Sequence, residues 1–185
     1  MRYRTRSWPR HSARQTREEL GMKRTTLLAA TMLTALLMAA GTALAAEMIG
    51  SPANNRIGGT ENGDVISARG GDDTVFGRGG NDEVYGQPGM DDLSGNAGND
   101  DLYGGSGNDI LRGGDGQDDV YGGDGTDRLT GGEGTDELSG GNNNDIINAD
   151  GGGLDLVNCG LGTDDRVLAD PNDGVNGDCE RISRR

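Results

Sequence analysis

Single aliphatic residues recur along the chain every nine positions: Ile66, Val75, Val84, Leu93, Leu102, Leu111, Val120, Leu129, Leu138 and Ile147. Between them the sequence is mostly glycine and polar residues. A buried helix face needs apolar residues three and four apart, and a long half-buried strand needs them at every second position. One isolated aliphatic per nine residues fits neither. It predicts short strands of three residues, each sending its middle side chain inward and its neighbours outward.

The polar positions keep the same phase. An aspartate stands two residues before each aliphatic: Asp64, Asp73, Asp82, Asp91, Asp100, Asp109, Asp118, Asp127, Asp136 and Asp145. Two residues before each aspartate comes glycine, from Gly71 to Gly134 at spacing nine, with Asn62 and Asn143 in that place at the ends. The clearest copies run from Gly104 to Ser139 as GGSGNDILR, GGDGQDDVY, GGDGTDRLT and GGEGTDELS. A disordered Gly/Asp-rich linker has a similar composition, but a linker has no need to keep a phase. The repeats are therefore read as ordered, with glycine at alternating turn positions permitting positive φ and letting carbonyls crowd toward one point.

Composition narrows the picture further. Thirty-six glycines and an aromatic share of 3% exclude a core of large side chains. The formal charge of -14 is unevenly spread, because residues 46–185 hold nine arginines against 29 Asp and Glu, a formal -20. Such a surface repels nucleic acid and anionic membrane, whose binding rests on Lys and Arg, and it attracts hard cations. The same stretch has no His and no Lys. It lacks an ordinary general base near neutral pH, a Ser-His pair and a zinc-protease motif, so no enzyme activity is expected.

The motif G-G-x-G-x-D-x-U-x, where U is aliphatic, resembles the nonapeptide of the RTX, or haemolysin-type, calcium-binding repeats. The resemblance covers residues 59–148 strongly and 149–166 loosely. It implies an all-β fold, a right-handed parallel β-roll (β-solenoid) in which six residues turn, three form a strand and two nonapeptides complete a coil. It assigns the ten repeat aspartates as carboxylate ligands, with turn carbonyls supplying the rest. In a coil of two repeats Tyr85, Tyr103 and Tyr121, at spacing eighteen, stack as an outward ladder on one sheet, with Phe76 on the other. That ladder is read as cross-strand support of the sheet, a ligand-binding stripe being the alternative.

Calcium follows from the donors. Carboxylate and carbonyl oxygens without imidazole or thiolate serve zinc and copper poorly, and flexible turns suit Ca²⁺ better than the rigid octahedron of Mg²⁺. Stacked aspartates about 4.8 Å apart repel by about 3.5 kcal/mol at an effective dielectric near 20. The roll is therefore expected to be loose or unfolded until a cation turns the ladder into ligands. Ten turns on two edges leave up to about eight complete sites. Copies before Gly104 depart from the motif: Ala68 replaces the first Gly, Arg69, Arg78, Gln87 and Asn96 the second, and Pro88 and Met90 crowd one turn. Weaker sites are expected there.

After Asn148 the phase slips by one residue, with Gly153, Asp155 and Val157 resuming it and Gly160, Gly162 and Asp164 giving a further degraded copy. Cys159 and Cys179 are the only cysteines. In an oxidising compartment a disulfide between them closes a loop of about twenty residues, worth roughly 3 kcal/mol, and clips the tail over the end of the roll. Asp170 to Asp178 invites an EF-hand reading that fails, since the sixth place is Val175 and the twelfth Arg181. A polar turn is expected instead.

At the other end, Lys23 and Arg24 precede an uncharged stretch from Thr25 to Ala46 that contains Ala43-Leu44-Ala45. This reads as a signal peptide cleaved after Ala45, a retained membrane anchor being the alternative. Residues 1–21 are expected to be a translated upstream segment ahead of a bacterial start at Met22. The organisation is thus 1–21 upstream segment, 22–45 signal peptide, 46–58 N-terminal linker, 59–148 β-roll, and 149–185 degraded repeats with a disulfide-closed cap. The expected function is a secreted, extracellular calcium-binding protein that folds on binding Ca²⁺, with a structural or cell-surface role. Its expected partners are calcium ions, with no nucleic acid and no membrane insertion of the mature chain. An adhesin or a glycan- or ice-binding module using the sheet faces is the alternative, and a haemolysin a weaker one.

Overall fold

A computed structural model describes residues 45–185. The upstream segment 1–21, and the signal peptide 22–45 apart from its last residue, lie outside the described residues. Among the described residues the chain folds as strands and turns, with no helix. The strands are β1 Glu47–Ile49, β2 Arg56–Gly58, β3 Val65–Ser67, β4 Thr74–Gly79, β5 Glu83–Pro88, β6 Asp92–Ala97, β7 Asp101–Ser106 and β8 Ile110–Asp115. They continue as β9 Asp119–Asp124, β10 Arg128–Glu133, β11 Glu137–Asn142, β12 Ile146–Ala149, β13 Leu156–Leu161, β14 Arg166–Ala169, β15 Gly174–Val175 and β16 Arg181–Arg184.

The odd-numbered strands form one eight-stranded sheet in chain order and the even-numbered strands form another. Every pairing is parallel, and Leu102 stands beside Val120 and Leu111 beside Leu129, eighteen residues apart. Two nonapeptides therefore make one coil, and the fold is a parallel β-solenoid of about eight turns, consistent with an RTX β-roll. The core is a double column of aliphatics, Ile66, Val84, Leu102, Val120 and Leu138 from one sheet and Val75, Leu93, Leu111, Leu129 and Ile147 from the other, all essentially inaccessible. Each sheet adds one aliphatic per coil to this core, and small residues such as Ala68, Ala149 and Cys159 fill other inward places.

Three expectations are corrected. Residues 46–58 are not a linker: β1 and β2 pair with β3 and β4 and complete the first coil, with Met48 and Ile57 packed against the core. The central strands run for six residues rather than three, because the glycine pair after each strand also stays in register with its neighbours, as Gly105 does with Gly123. In the last degraded copy the ladder position belongs to Asp165, not Asp164. Asp165 is buried, whereas Asp164 pairs with Arg166 at 3.5 Å and with Arg181.

The irregular end continues both sheets instead of merely covering them, since β15 pairs with β13 and β16 with β14. The Cys159–Cys179 disulfide is formed, with the Cα atoms 5.3 Å apart. It fastens the segment before β16 to a buried position of β13.

Because each coil contributes so few apolar side chains, single deletions should be felt. Leu111→Ala is expected to destabilise the calcium-loaded chain by about 2–5 kcal/mol. Leu161→Ala, at a side chain 75% exposed, is expected to change stability by less than about 0.5 kcal/mol. Urea unfolding followed by circular dichroism measures both.

Candidate metal centre

Each repeat turns sharply between its strand and its aspartate. The glycine two positions before the aspartate has φ of 139° at Gly107, 142° at Gly116, 148° at Gly125 and 143° at Gly134, a region where side chains are strained. The second position of the glycine pair is also left-handed. Where it is occupied by Arg69, Arg78, Gln87 and Asn96 the φ values are 82°, 87°, 75° and 77°. The early copies thus keep the turn geometry at a backbone cost of about 1–2 kcal/mol per residue.

These turns bring the ten predicted aspartates into two continuous ladders, all of them buried. In one, the backbone amide of Asp82 donates to Asp100 Oδ1 at 2.8 Å, that of Asp100 to Asp118 at 2.9 Å, and that of Asp118 to Asp136 at 3.0 Å. In the other, the amides of Asp73, Asp91 and Asp109 donate to Asp91, Asp109 and Asp127 at 2.8 Å each, and Asp127 donates to Asp145 at 2.9 Å. Three further aspartates extend the ladders. Asp155 accepts from Asp136 at 2.9 Å, Asp165 from Asp145 at 2.8 Å, and Asp173 from Asp155 at 3.2 Å. Asp155 was visible in the slipped repeat and Asp173 stands eighteen residues after it, but the two extra residues between Asp145 and Asp165 hide Asp165 from a count in nines.

The second oxygen is left open. Eleven buried Oδ2 atoms, from Asp73 to Asp165, meet no hydrogen-bond donor among the described residues. At the ladder ends the corresponding oxygens are closed by local amides, Thr60 onto Asp64 Oδ2 at 2.6 Å and Asp170 onto Asp173 Oδ2 at 2.6 Å. The open oxygens face space that the first glycine of each pair keeps clear. A methyl group on Gly104 would lie 2.6 Å from Asp109 Oδ2 and 2.5 Å from the Gly122 carbonyl oxygen. On Gly122 it would lie 2.5 Å from both Asp127 Oδ2 and the Gly140 carbonyl oxygen. Each cradle therefore converges an unsatisfied carboxylate oxygen and a carbonyl from the next coil. A buried charge left this way is costly, and an all-oxygen donor set at a flexible turn fits a calcium ion.

Residues immediately before the repeat aspartates also take part, a role the sequence reading missed. Asn81 Oδ1 accepts from the amide of Asn99 at 3.0 Å, Asn99 from Gln117 at 3.0 Å, Asn108 from Thr126 at 2.9 Å, and Asp72 from Met90 at 3.0 Å. They clamp each turn to the following coil, whereas the repeat aspartates clamp it to the preceding one. The enrichment of Asn and Asp at that place was the available signal. The tyrosines stack as expected, Tyr85 on Tyr103 with ring centres 4.9 Å apart and Tyr103 on Tyr121 at 5.1 Å. Phe76 lies on the opposite sheet beneath Arg56, 4.8 Å from its ring centre.

Burial pushes the ladder carboxyls upward. Asp82, Asp91 and Asp155 rise to about 6, and Asp109, Asp118 and Asp145 to about 7; the amide on Oδ1 opposes the rise and neighbouring ladder carboxylates add to it. Asp100, Asp127, Asp136 and Asp165 are raised from the same first cause.

In the metal-free chain the folded state therefore binds protons that the unfolded state releases. Its stability should rise as pH falls from about 7 toward the ordinary value of 3.8, and fall as pH is raised through 7. Circular dichroism in EDTA across that range measures this. Gly122 has no positive φ, so Gly122→Ala tests the cradle itself. It should raise the calcium concentration needed for folding several-fold, through about 1–3 kcal/mol of overpacking, as read by calcium titration.

Three consecutive segments, residues 49–84, 85–120 and 121–153, match the RTX calcium-binding nonapeptide repeat (4 copies). Together they span more than half of the chain. A search of the curated proteins gave no match. With its repeats, its ladders and its open carboxylate oxygens in the places that motif requires, the chain belongs to the RTX calcium-binding repeat family.

Proposed function

We propose that this is a secreted calcium-binding protein that folds on meeting extracellular Ca²⁺ and serves a structural role at or near the cell surface. The observation that carries the reading is the row of buried, unsatisfied Oδ2 atoms. The ligands are Asp73, Asp82, Asp91, Asp100, Asp109, Asp118, Asp127, Asp136 and Asp145, joined by Asp155 and Asp165, whereas Asp64, expected with them, has its Oδ2 taken by the amide of Thr60. Turn carbonyls from adjacent coils complete each site. Nothing in this role calls for catalysis, since the carboxylates repeat identically along the roll, as ligands do and active sites do not.

Export is supported by the basic pair Lys23-Arg24 ahead of an uncharged stretch ending near Ala43-Leu44-Ala45. The disulfide between Cys159 and Cys179 suits an oxidising compartment. There calcium is plentiful, and a chain that stays loose until export avoids folding too early.

A calcium titration of the purified chain followed by far-UV circular dichroism tests the reading. The spectrum is expected to change from coil in EDTA to β at sub-millimolar to millimolar Ca²⁺, and not with Mg²⁺. A β spectrum already complete in EDTA at pH 7.5 would turn the repeats into a metal-independent scaffold. No change at any calcium level would remove the central claim.

A further inference from the structure

The two sheets carry opposite charge on their outer faces. Alternation of successive repeats between sheets sends every arginine that lies in a strand to the even sheet: Arg56, Arg78, Arg112, Arg128, Arg166, Arg181 and Arg184. Only Asp92, Asp115 and Glu133 oppose them in those strands, a formal +4. The odd strands hold six acids and no arginine, a formal -6. Four of those acids, Glu83, Asp101, Asp119 and Glu137, stand side by side in register across β5, β7, β9 and β11.

That acidic row is not part of the calcium ladders, because its residues occupy the strand position that points outward. Among the described residues none of its four carboxylates lies within an ion-pair distance of a cation. Beside it runs the stacked column Tyr85, Tyr103 and Tyr121. On the even face Arg56, Arg78 and Arg128 likewise have no carboxylate within 4.0 Å among the described residues. Arg56 over Phe76 shows that a guanidinium on this molecule seats on an aromatic face.

We propose that copies of this chain stack face to face, the acidic, tyrosine-bearing odd face of one against the arginine-bearing even face of the next. The occupant is a second copy because the charges of the two faces are opposite and the arginines of one can seat on the tyrosines of the other. The arginines of the even face are scattered over different strand positions, Arg78 beside Asn96, Arg112 beside Thr130 and Arg128 beside Ile110, so the match is one of net charge and not of a row against a row. The interface joins two different faces, so it does not close on itself and each copy leaves one face of each kind free. The product is an open stack.

The stack rests on the calcium reading above. Residues 46–185 carry a formal -20, which opposes association. Thirteen of the acids are the buried turn aspartates. With the eleven of them whose Oδ2 atoms are open neutralised, eighteen acids face nine arginines and the self-repulsion falls to a formal -9.

Sedimentation velocity of the calcium-loaded chain at rising concentration tests the proposal, with circular dichroism on the same samples. The average mass should climb past that of a dimer at low salt and return to the monomer in about 1 M salt. Two outward-facing charge reversals separate the faces. Reversing the whole row, Glu83→Arg with Asp101→Arg, Asp119→Arg and Glu137→Arg, takes the odd strands from a formal -6 to +2 so that both faces are positive, and Arg56→Asp with Arg112→Asp and Arg128→Asp takes the even strands from +4 to -2 so that both are negative. Each variant alone should stay monomeric, and an equimolar mixture should associate again, which misfolding cannot produce. A β spectrum in calcium with monomeric wild type, or association of either variant alone, overturns the stacking and leaves the calcium reading standing. Wild type that stays monomeric but captures an added poly-arginine peptide also overturns it, giving the acidic face a foreign partner. A coil spectrum in calcium overturns both readings.

Discussion

In every central coil a buried aspartate receives one amide from the neighbouring coil on Oδ1 and nothing on Oδ2. The first contact sets the stacking distance and the register; the second oxygen makes the stack conditional. A core of one aliphatic per sheet and coil is small against the entropy of ordering a glycine-rich chain. Its turns also align like charges that repel at close range. The fold therefore depends on something that neutralises the ladder, a proton at low pH or calcium at neutral pH.

The same geometry explains why glycine is needed at two different places for two different reasons. At Gly107, Gly116, Gly125 and Gly134 the backbone takes a positive φ that a side chain resists. At Gly104, Gly113, Gly122 and Gly140 the conformation is ordinary, but a methyl group would fill the space between the carboxylate and the next coil's carbonyl. Arg69, Arg78, Gln87 and Asn96 show that the second place of the pair tolerates replacement where the first largely does not. Ala68, Ala149 and Cys159, which do replace the first glycine, stand near the ends of the regular array.

Alternation between sheets has a consequence beyond packing. Because neighbouring repeats face opposite ways, any residue that recurs at eighteen rather than nine accumulates on one face. The acids and tyrosines of β5, β7 and β9 are sorted this way, and the strand arginines, though irregularly spaced, all fall on even strands, so a strongly acidic chain carries one basic face.

Most of the fold was legible in the sequence, because a solenoid repeats one local solution and period nine survives as a plain phase of Asp and aliphatic. The ten ladder aspartates and the tyrosine stack follow from that phase, and the disulfide from there being just two cysteines. What the phase could not reach was decided by hydrogen bonding in three dimensions. The segment 46–58 lacks the aspartate and most glycines of the motif and keeps only its apolar phase at Met48 and Ile57, yet it pairs as a coil, since strand register needs amides and carbonyls more than particular side chains. Asp165 rather than Asp164 joins the ladder because insertions after Asn148 bulge outward while the pairing of β12 with β14 holds. The sequence by itself determined the repeat, the inward residues and the oxygen-only donor set, all properties of one nonapeptide. Tertiary structure alone decided which oxygen stays open, where the array ends and how charge divides between faces, because each depends on a residue eighteen or more positions away.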